Sequence, residues 1–201
     1  MEKINIKEYH YKKDFCNLSK SIDKFLVPHE NEKKQNAEIS TPYSLRKEML
    51  DKIPEEFWTT PKKVFEPCSG KAGFLIDIID RFMNGLSYIE DKEERYRVIV
   101  EECLYYSDIN KTNIFISKLL LNPYEKYKLN YNDGDTLKLN IKEKWGIDGF
   151  DAVIGNPPYN SNGNNNKPLF IKHLSIEYIT NLSHKLLPPY PPFNVSSFDI
   201  L

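Results

Sequence analysis

The sequence predicts an α/β fold, an open sheet of short parallel strands joined through helices. Three observations carry that expectation. An apolar stretch ending at Glu66 runs into the loop Pro67-Cys68-Ser69-Gly70-Lys71-Ala72-Gly73-Phe74 and then into Leu75, Ile76, Ile78, Ile79, Phe82 and Met83 at helical period. A second apolar stretch, residues 103–107, ends on Asp108. A third, Ala152-Val153-Ile154, stops at Gly155 and enters Asn156-Pro157-Pro158-Tyr159, where two prolines fix φ and lack an N–H, so the strand gives way to a stiff loop. Polar groups at the carboxyl ends of successive strands lie where open α/β sheets bind ligands.

In chain order, residues 1–39 are polar and lysine-rich and read as an N-terminal helical and linker extension. Within it Phe15, Leu18, Ile22, Phe25 and Leu26 predict an amphipathic helix ending before Pro28, and the charged stretch 30–38 reads as a linker. Ser40-Thr41-Pro42 opens the next helix, expected to run through Ile53 with Thr41 as N-cap and Pro42 at the first helical position, and to stop at Pro54. Trp58 reads as a packing residue. The first strand is expected over 61–66. Glycines in the loop that follows let the backbone approach a ligand closely, and the next helix presents unpaired N–H groups at its start. The loop is neither a G-x-G-x-x-G fingerprint nor a Walker loop.

A helix is expected over 91–102, with Val98, Ile99 and Val100 facing inward, and the second strand over 103–108. Asp108 has two readings that can coexist: a carboxylate able to accept from both hydroxyls of a ribose, or, like Asn110, an N-cap of the helix 112–121. Pro123 stops that helix. The third strand is expected over 127–131, followed by an Asn132-Asp133-Gly134-Asp135 turn. Trp145, Gly146 and Gly149 lead into the fourth strand. Beyond Tyr159, residues 160–166 form an asparagine-rich loop, readable as a flap or as a plain connector. Residues 168–186 read as a helix, 188–201 as an irregular tail, and 40–187 as the main domain.

Lys+Arg 28 against Asp+Glu 29 leaves a formal charge of −1, so no global basic field marks a nucleic-acid binder. Cys16, Cys68 and Cys103 are odd in number and lack metal spacing, which fits reduced thiols. His10, His29, His173 and His184 form no ligand pair, so no metal is expected. The start lacks a secretory apolar run and no stretch approaches a membrane span. The expectation is a soluble, cytoplasmic protein with no membrane partner. Chemically, the Asn156 amide oxygen and the Pro157 carbonyl are successive acceptors beside the flat face of Tyr159, a set suited to a planar substrate with an exocyclic amino group.

Phe150-Asp151-Ala152-Val153-Ile154-Gly155 followed by Asn156-Pro157-Pro158-Tyr159 resembles the catalytic motif of the N6-adenine DNA methyltransferases of restriction–modification systems. Thr41-Pro42, Glu66-Pro67-Cys68-x-Gly70-x-x-Gly73-Phe74, Asp108-Ile109-Asn110 and Gly134-Asp135-Thr136-Leu137 occur in that family's order, so the resemblance covers about residues 40–160. It implies a Rossmann-like class I methyltransferase sheet, incomplete at the C-terminus, because the family's catalytic domain continues through three more strands and a target-recognition domain usually follows. It implies S-adenosylmethionine as cofactor. Thr41 and Pro42 would line its methionine end, and Glu66 would face its amino-acid moiety within the loop of Pro67, Cys68, Gly70, Gly73 and Phe74. Asp108 with Ile109 would meet the ribose, and Asp135 with Leu137 the cofactor adenine. Asn156, Pro157, Pro158 and Tyr159 would be catalytic, acting on an adenine in DNA. Cys68 is not expected to act as a nucleophile, since amino-group methylation needs no covalent intermediate. Methylation of RNA or of a protein glutamine amide stays open, as does a non-catalytic cofactor-binding subunit acting through a partner chain that supplies target recognition.

Overall fold

Short strands make a stable sheet only when the apolar side chains above and below them are covered, and here the flanking helices provide most of that cover. The computed structural model describes residues 4–26 and 40–156. Two helices, α1 (Ile6–Lys12) and α2 (Phe15–Phe25), precede α3 (Tyr43–Leu50) and a 3-10 turn, Glu55–Thr59. Strand β1 (Val64–Glu66) leads through the glycine loop to α4 (Gly73–Gly85). Helix α5 (Lys92–Val98) passes through a wider turn, Ile99–Cys103, into β2 (Leu104–Ser107). Helix α6 (Lys111–Leu121), β3 (Asn130–Asn132), a 3-10 turn at Thr136–Lys138, α7 (Ile141–Trp145) and β4 (Ala152–Val153) complete the order.

Among the described residues all pairings are parallel, in the spatial order β3-β2-β1-β4, with Phe65 opposite both Tyr105 and Val153. Strands β2 and β4 flank β1 on opposite sides, so a crevice opens beside β1 at its carboxyl end. Alternation along the strands sends Val64, Leu104 and Tyr106 to one face and Phe65 and Tyr105 to the other. The larger face is covered by α4, which buries Phe74, Leu75, Ile76, Ile78, Ile79 and Phe82. Trp58 is 1% exposed there, edge-on to Phe82 at 5.0 Å. The smaller face is an aromatic cluster in which Phe65 stacks on Phe150 at 4.7 Å and Trp145 meets Tyr105 edge-on at 5.2 Å.

The segment read as an extension contributes to the larger core. Phe15 and Leu18 of α2 are fully buried and Ile22 nearly so. Phe15 stacks on Tyr96 of α5 at 5.2 Å, and the His10 ring stands edge-on to both. His10 Nε2 donates to the Leu120 carbonyl at 2.6 Å, and burial lowers its pKa, which favours the neutral ring. Helices α1 and α7 lack an apolar stripe long enough to announce them in the sequence.

Several boundaries differ from expectation for identifiable reasons. Thr41 is not the N-cap of α3. Pro42 takes that place, its carbonyl accepting from Leu45 and Arg46 at 3.0 Å, so Tyr43 rather than Pro42 is the first helical residue. That helix stops at Leu50 instead of Ile53, the chain tightening so that Ile53 N–H bonds the Leu50 carbonyl. The third strand starts at Asn130, because Asn122 accepts from Lys126 and Tyr127 N–H and Glu101 accepts from Lys128 N–H, removing those donors from the ladder. The linker 30–38, the loop 160–166, the helix 168–186 and the tail 188–201 lie outside the described residues.

If α2 belongs to the core, Leu18→Ala should cost about 2–5 kcal/mol of unfolding free energy in urea titrations. Tyr11→Ala, at a position 84% exposed, should stay within about 0.5 kcal/mol. Equal, small effects would mean that α2 is merely appended.

Candidate active site

Strands β1 and β4 lie side by side, so the residues that follow them emerge together. Glu66 ends β1 with 2% exposure, and its Oε2 is buried without a hydrogen-bond partner among the described residues. Burial pushes its carboxyl well above the usual carboxylate range; the Arg46 charge opposes this, while Asp108 and Asp77 add to it. Three residues past β4, the half-buried Asn156 donates its side-chain N–H to Thr41 Oγ1 at 3.2 Å. Thr41, freed from capping, therefore tethers the amide.

The glycine loop closes the other side. Gly70 takes the left-handed conformation at φ 50, and Ala72 does so at φ 66 despite its Cβ, immediately before α4. Among the described residues no N-cap side chain bonds the first turn of α4. A Cβ added at Gly73 would lie 2.9 Å from the Arg46 guanidinium carbon, so the guanidinium or the loop would have to shift. The Ser69 hydroxyl is a second buried polar group without a partner among the described residues, in a residue 4% exposed. Thr41, Glu66, Cys68, Ser69, Phe74 and Asn156 line one open cleft, with Gly70 and Gly73 in its wall. Burial, with Asp108 and Glu66 nearby, pushes the Cys68 thiol up to about 12, so it stays protonated and is a poor nucleophile near neutrality.

Asp108 and the loop after β3 buttress this cleft. Asp108 is 7% exposed; its Oδ2 accepts from Gly70 N–H at 2.8 Å and its Oδ1 from Asn110 N–H at 2.7 Å. It thus binds the end of β2 to the glycine loop, and the capping of α6 falls to Asn110, which accepts from Thr112 N–H at 3.0 Å. Ile109 is 67% exposed. Asp135 caps the turn that follows it, accepting from Leu137 N–H at 3.0 Å. Between them, Thr136 Oγ1 donates to the Pro67 carbonyl at 2.7 Å and lies 2.8 Å from Ser107 Oγ.

The structure therefore brings Thr41, Glu66, Cys68, Gly70, Gly73, Phe74 and Asn156 around one cleft, with Pro42 beside Thr41 and Asp108 behind Gly70. Pro67, Asp135 and Leu137 join through Thr136, whereas Ile109 is turned to solvent. Pro157, Pro158 and Tyr159 lie outside the described residues. Sequence reasoning missed Arg46, Ser69 and Ser107. Ser69 was recoverable from its place inside the glycine loop; Arg46 and Ser107 carried no local signal. A buried carboxylate with an open oxygen, beside uncapped helix N–H groups, suits a ligand bearing an ammonium and a carboxylate, as an amino-acid zwitterion does. Among the described residues no group of three or more His, Cys, Asp and Glu is placed to hold a metal, and no helix is long and apolar enough to cross a membrane.

The model of the family described as N-6 DNA Methylase matches residues 22–176. No curated protein matches the chain. Among solved structures it is similar to one described as "a modification subunit of a putative type I restriction enzyme from Vibrio vulnificus YJ016", at 18% identity and a TM-score of 0.49, over 79% of this chain and 30% of that chain.

Glu66 also has a signature in ligand-free stability. Its raised folded-state pKa means that its stabilising contribution is complete below the unfolded carboxyl value of about 4.3 and is lost as pH rises through the folded value. Glu66→Gln cannot ionise. The Tm of the variant minus that of the parent should grow steadily in the variant's favour from acid to mildly alkaline pH. A gap independent of pH would contradict the buried, unpaired carboxyl.

Proposed function

The chain belongs to the N-6 DNA methylase family, and from that premise we propose that it binds S-adenosylmethionine in the cleft between the ends of β1 and β4 and serves methyl transfer to N6 of adenine in DNA. The observation that carries this reading is the Glu66 carboxyl, buried with Oε2 open, in the same cleft as a tethered Asn156 amide. Glu66 would hold the cofactor's α-ammonium, which restores the carboxylate's charge and removes the cost of leaving it unpaired. The first turn of α4 would receive the carboxylate. Asp108, at the end of β2 behind Gly70, is proposed for the ribose, whose two hydroxyls a carboxylate suits as acceptor. Asp135 remains the residue proposed for the cofactor adenine.

When bound, S-adenosylmethionine supplies an electrophilic methyl group. The work of this chain is then positioning. Because Asn156 gives its amide nitrogen to Thr41, its carbonyl oxygen is left as the acceptor for the substrate amino group. Accepting an N6 hydrogen there, with the Pro157 carbonyl taking the other, would turn the nitrogen lone pair toward the cofactor side of the cleft. Tyr159 would stack on the base once it has left the duplex, an interaction worth about 1–3 kcal/mol. Well-oriented reactants gain roughly 7–11 kcal/mol over free encounter, enough for alignment to dominate the acceleration. Target recognition is proposed to come from a partner chain, in a restriction–modification setting.

The test is incubation with methyl-labelled S-adenosylmethionine and unmethylated DNA, followed by digestion to nucleosides. Label is expected in N6-methyldeoxyadenosine. Asn156→Ala should lower transfer by about 10²-fold or more while cofactor binding persists. Glu66→Gln should weaken cofactor binding by roughly 10–100-fold, as expected for a lost hydrogen bond to a charged group. Label appearing only in RNA or protein would redirect the substrate assignment. Equal loss of binding and transfer in Asn156→Ala would overturn the catalytic role of its amide.

A further inference from the structure

We infer that Arg46 is a positioning residue that couples the glycine loop to the Asn156 amide, an inference that rests on the cofactor-cleft reading of this site. Its side chain is 2% exposed and is bound on every edge that the fold presents to it. Nε donates to Asp77 Oδ2 at 2.6 Å, Nη1 to Asp23 Oδ1 at 2.8 Å and to the Thr41 carbonyl, and Nη2 to Ser19 Oγ at 2.8 Å. Asp23 also accepts from Tyr43 N–H, the first donor of α3, which Thr41 does not cap.

Two halves of the cleft meet on this one planar group. Its face lies against Gly73, so close that a Cβ there would sit 2.9 Å from both Cζ and Nη1, and this fixes where the glycine loop turns into α4. Its edge holds the carbonyl of Thr41, whose hydroxyl holds Asn156. The residue that aims the amide is therefore referenced to the same atoms that set the cofactor loop. Lysine would keep the charge but not the fork, because an ammonium cannot present fixed, divergent donors and a flat face together. Asp77 and Asp23 keep the guanidinium charged against the penalty of burial.

Three variants test the coupling: Arg46→Lys, Thr41→Val, which keeps the shape of the side chain without its hydroxyl, and Asp23→Asn, a milder lesion at a position 26% exposed. For each folded variant, the Asn156 side-chain amide resonances, the cofactor Kd and the single-turnover methyl-transfer rate are measured. Arg46→Lys and Thr41→Val should both shift the Asn156 amide resonances and lower the transfer rate by about 10²-fold, with a much smaller change in Kd. The double variant should be little worse than the worse single one, as coupled residues require. An unchanged Asn156 resonance and rate in Arg46→Lys, with Thr41→Val impaired, would overturn the inference. So would parallel loss of Kd, rate and Tm in both, which a merely structural role produces. If Arg46→Lys does not fold, Asp23→Asn carries the same comparison. If the parent protein transfers no methyl group, the proposed function fails, and the resonance measurement still decides the coupling.

Discussion

A guanidinium sealed from water must be answered by the protein on every side, and Arg46 imposes that requirement on the first half of the chain. Removing one partner from such a buried ionic group typically costs about 3–5 kcal/mol, because the charge left behind has no solvent to turn to. The partners here are Ser19 and Asp23 on α2, the Thr41 carbonyl, and Asp77 on α4. Helix α2 therefore cannot drift from α4 without exposing a cation, and the entry to α3 is fixed between them. The apolar contacts of Phe15, Leu18 and Ile22 supply adhesion. The directional bonds of Arg46 supply registry, which adhesion alone does not give.

At the carboxyl end of the sheet, polarity is arranged along a single edge. Strands β1, β2 and β4 are apolar through most of their length and turn polar at their carboxyl ends, at Glu66, at Ser107 with Asp108, and at Asn156. Parallel pairing makes those ends adjacent, whatever the sequence distance between them. The loops that carry them are then tied to one another rather than to solvent: Gly70 to Asp108, Pro67 to Thr136, Thr136 to Ser107. A cleft floored by such cross-links is held open by the fold itself, the condition under which a polar site can be preorganised.

Much of this was legible in the sequence. The strand, glycine-loop and helix order near Glu66 followed from apolar period and glycine placement, and Asn156 stood at a strand end marked by two prolines. What escaped was whatever depends on partners distant along the chain. Arg46 sits in a short, polar helix with nothing nearby in the sequence to mark it as buried, since Ser19, Asp23 and Asp77 are 27, 23 and 31 residues away. The capping preference of Thr41 was overridden for the same reason, because Asp23 takes the donor at the start of α3. The N-cap reading of Asp108 gave way to a carboxylate bonded to the glycine loop, with Asn110 capping α6 in its place. Strand β3 begins later than its residue types suggest because the side chains of Asn122 and Glu101 intercept backbone donors, an exchange that propensity does not register.

The protein has two tryptophans, and the sheet separates them. Trp58 lies in the larger core against Phe82, and Trp145 in the aromatic cluster with Phe65, Tyr105 and Phe150. Intrinsic fluorescence therefore carries two optical channels, one for each side of the molecule, with different solvent access. The Trp145 channel looks onto Phe150, which stands just ahead of β4 and so of Asn156. A single-tryptophan protein keeping Trp145 would report on the face of the sheet beneath β4 without an added dye, while one keeping Trp58 would serve as its internal reference.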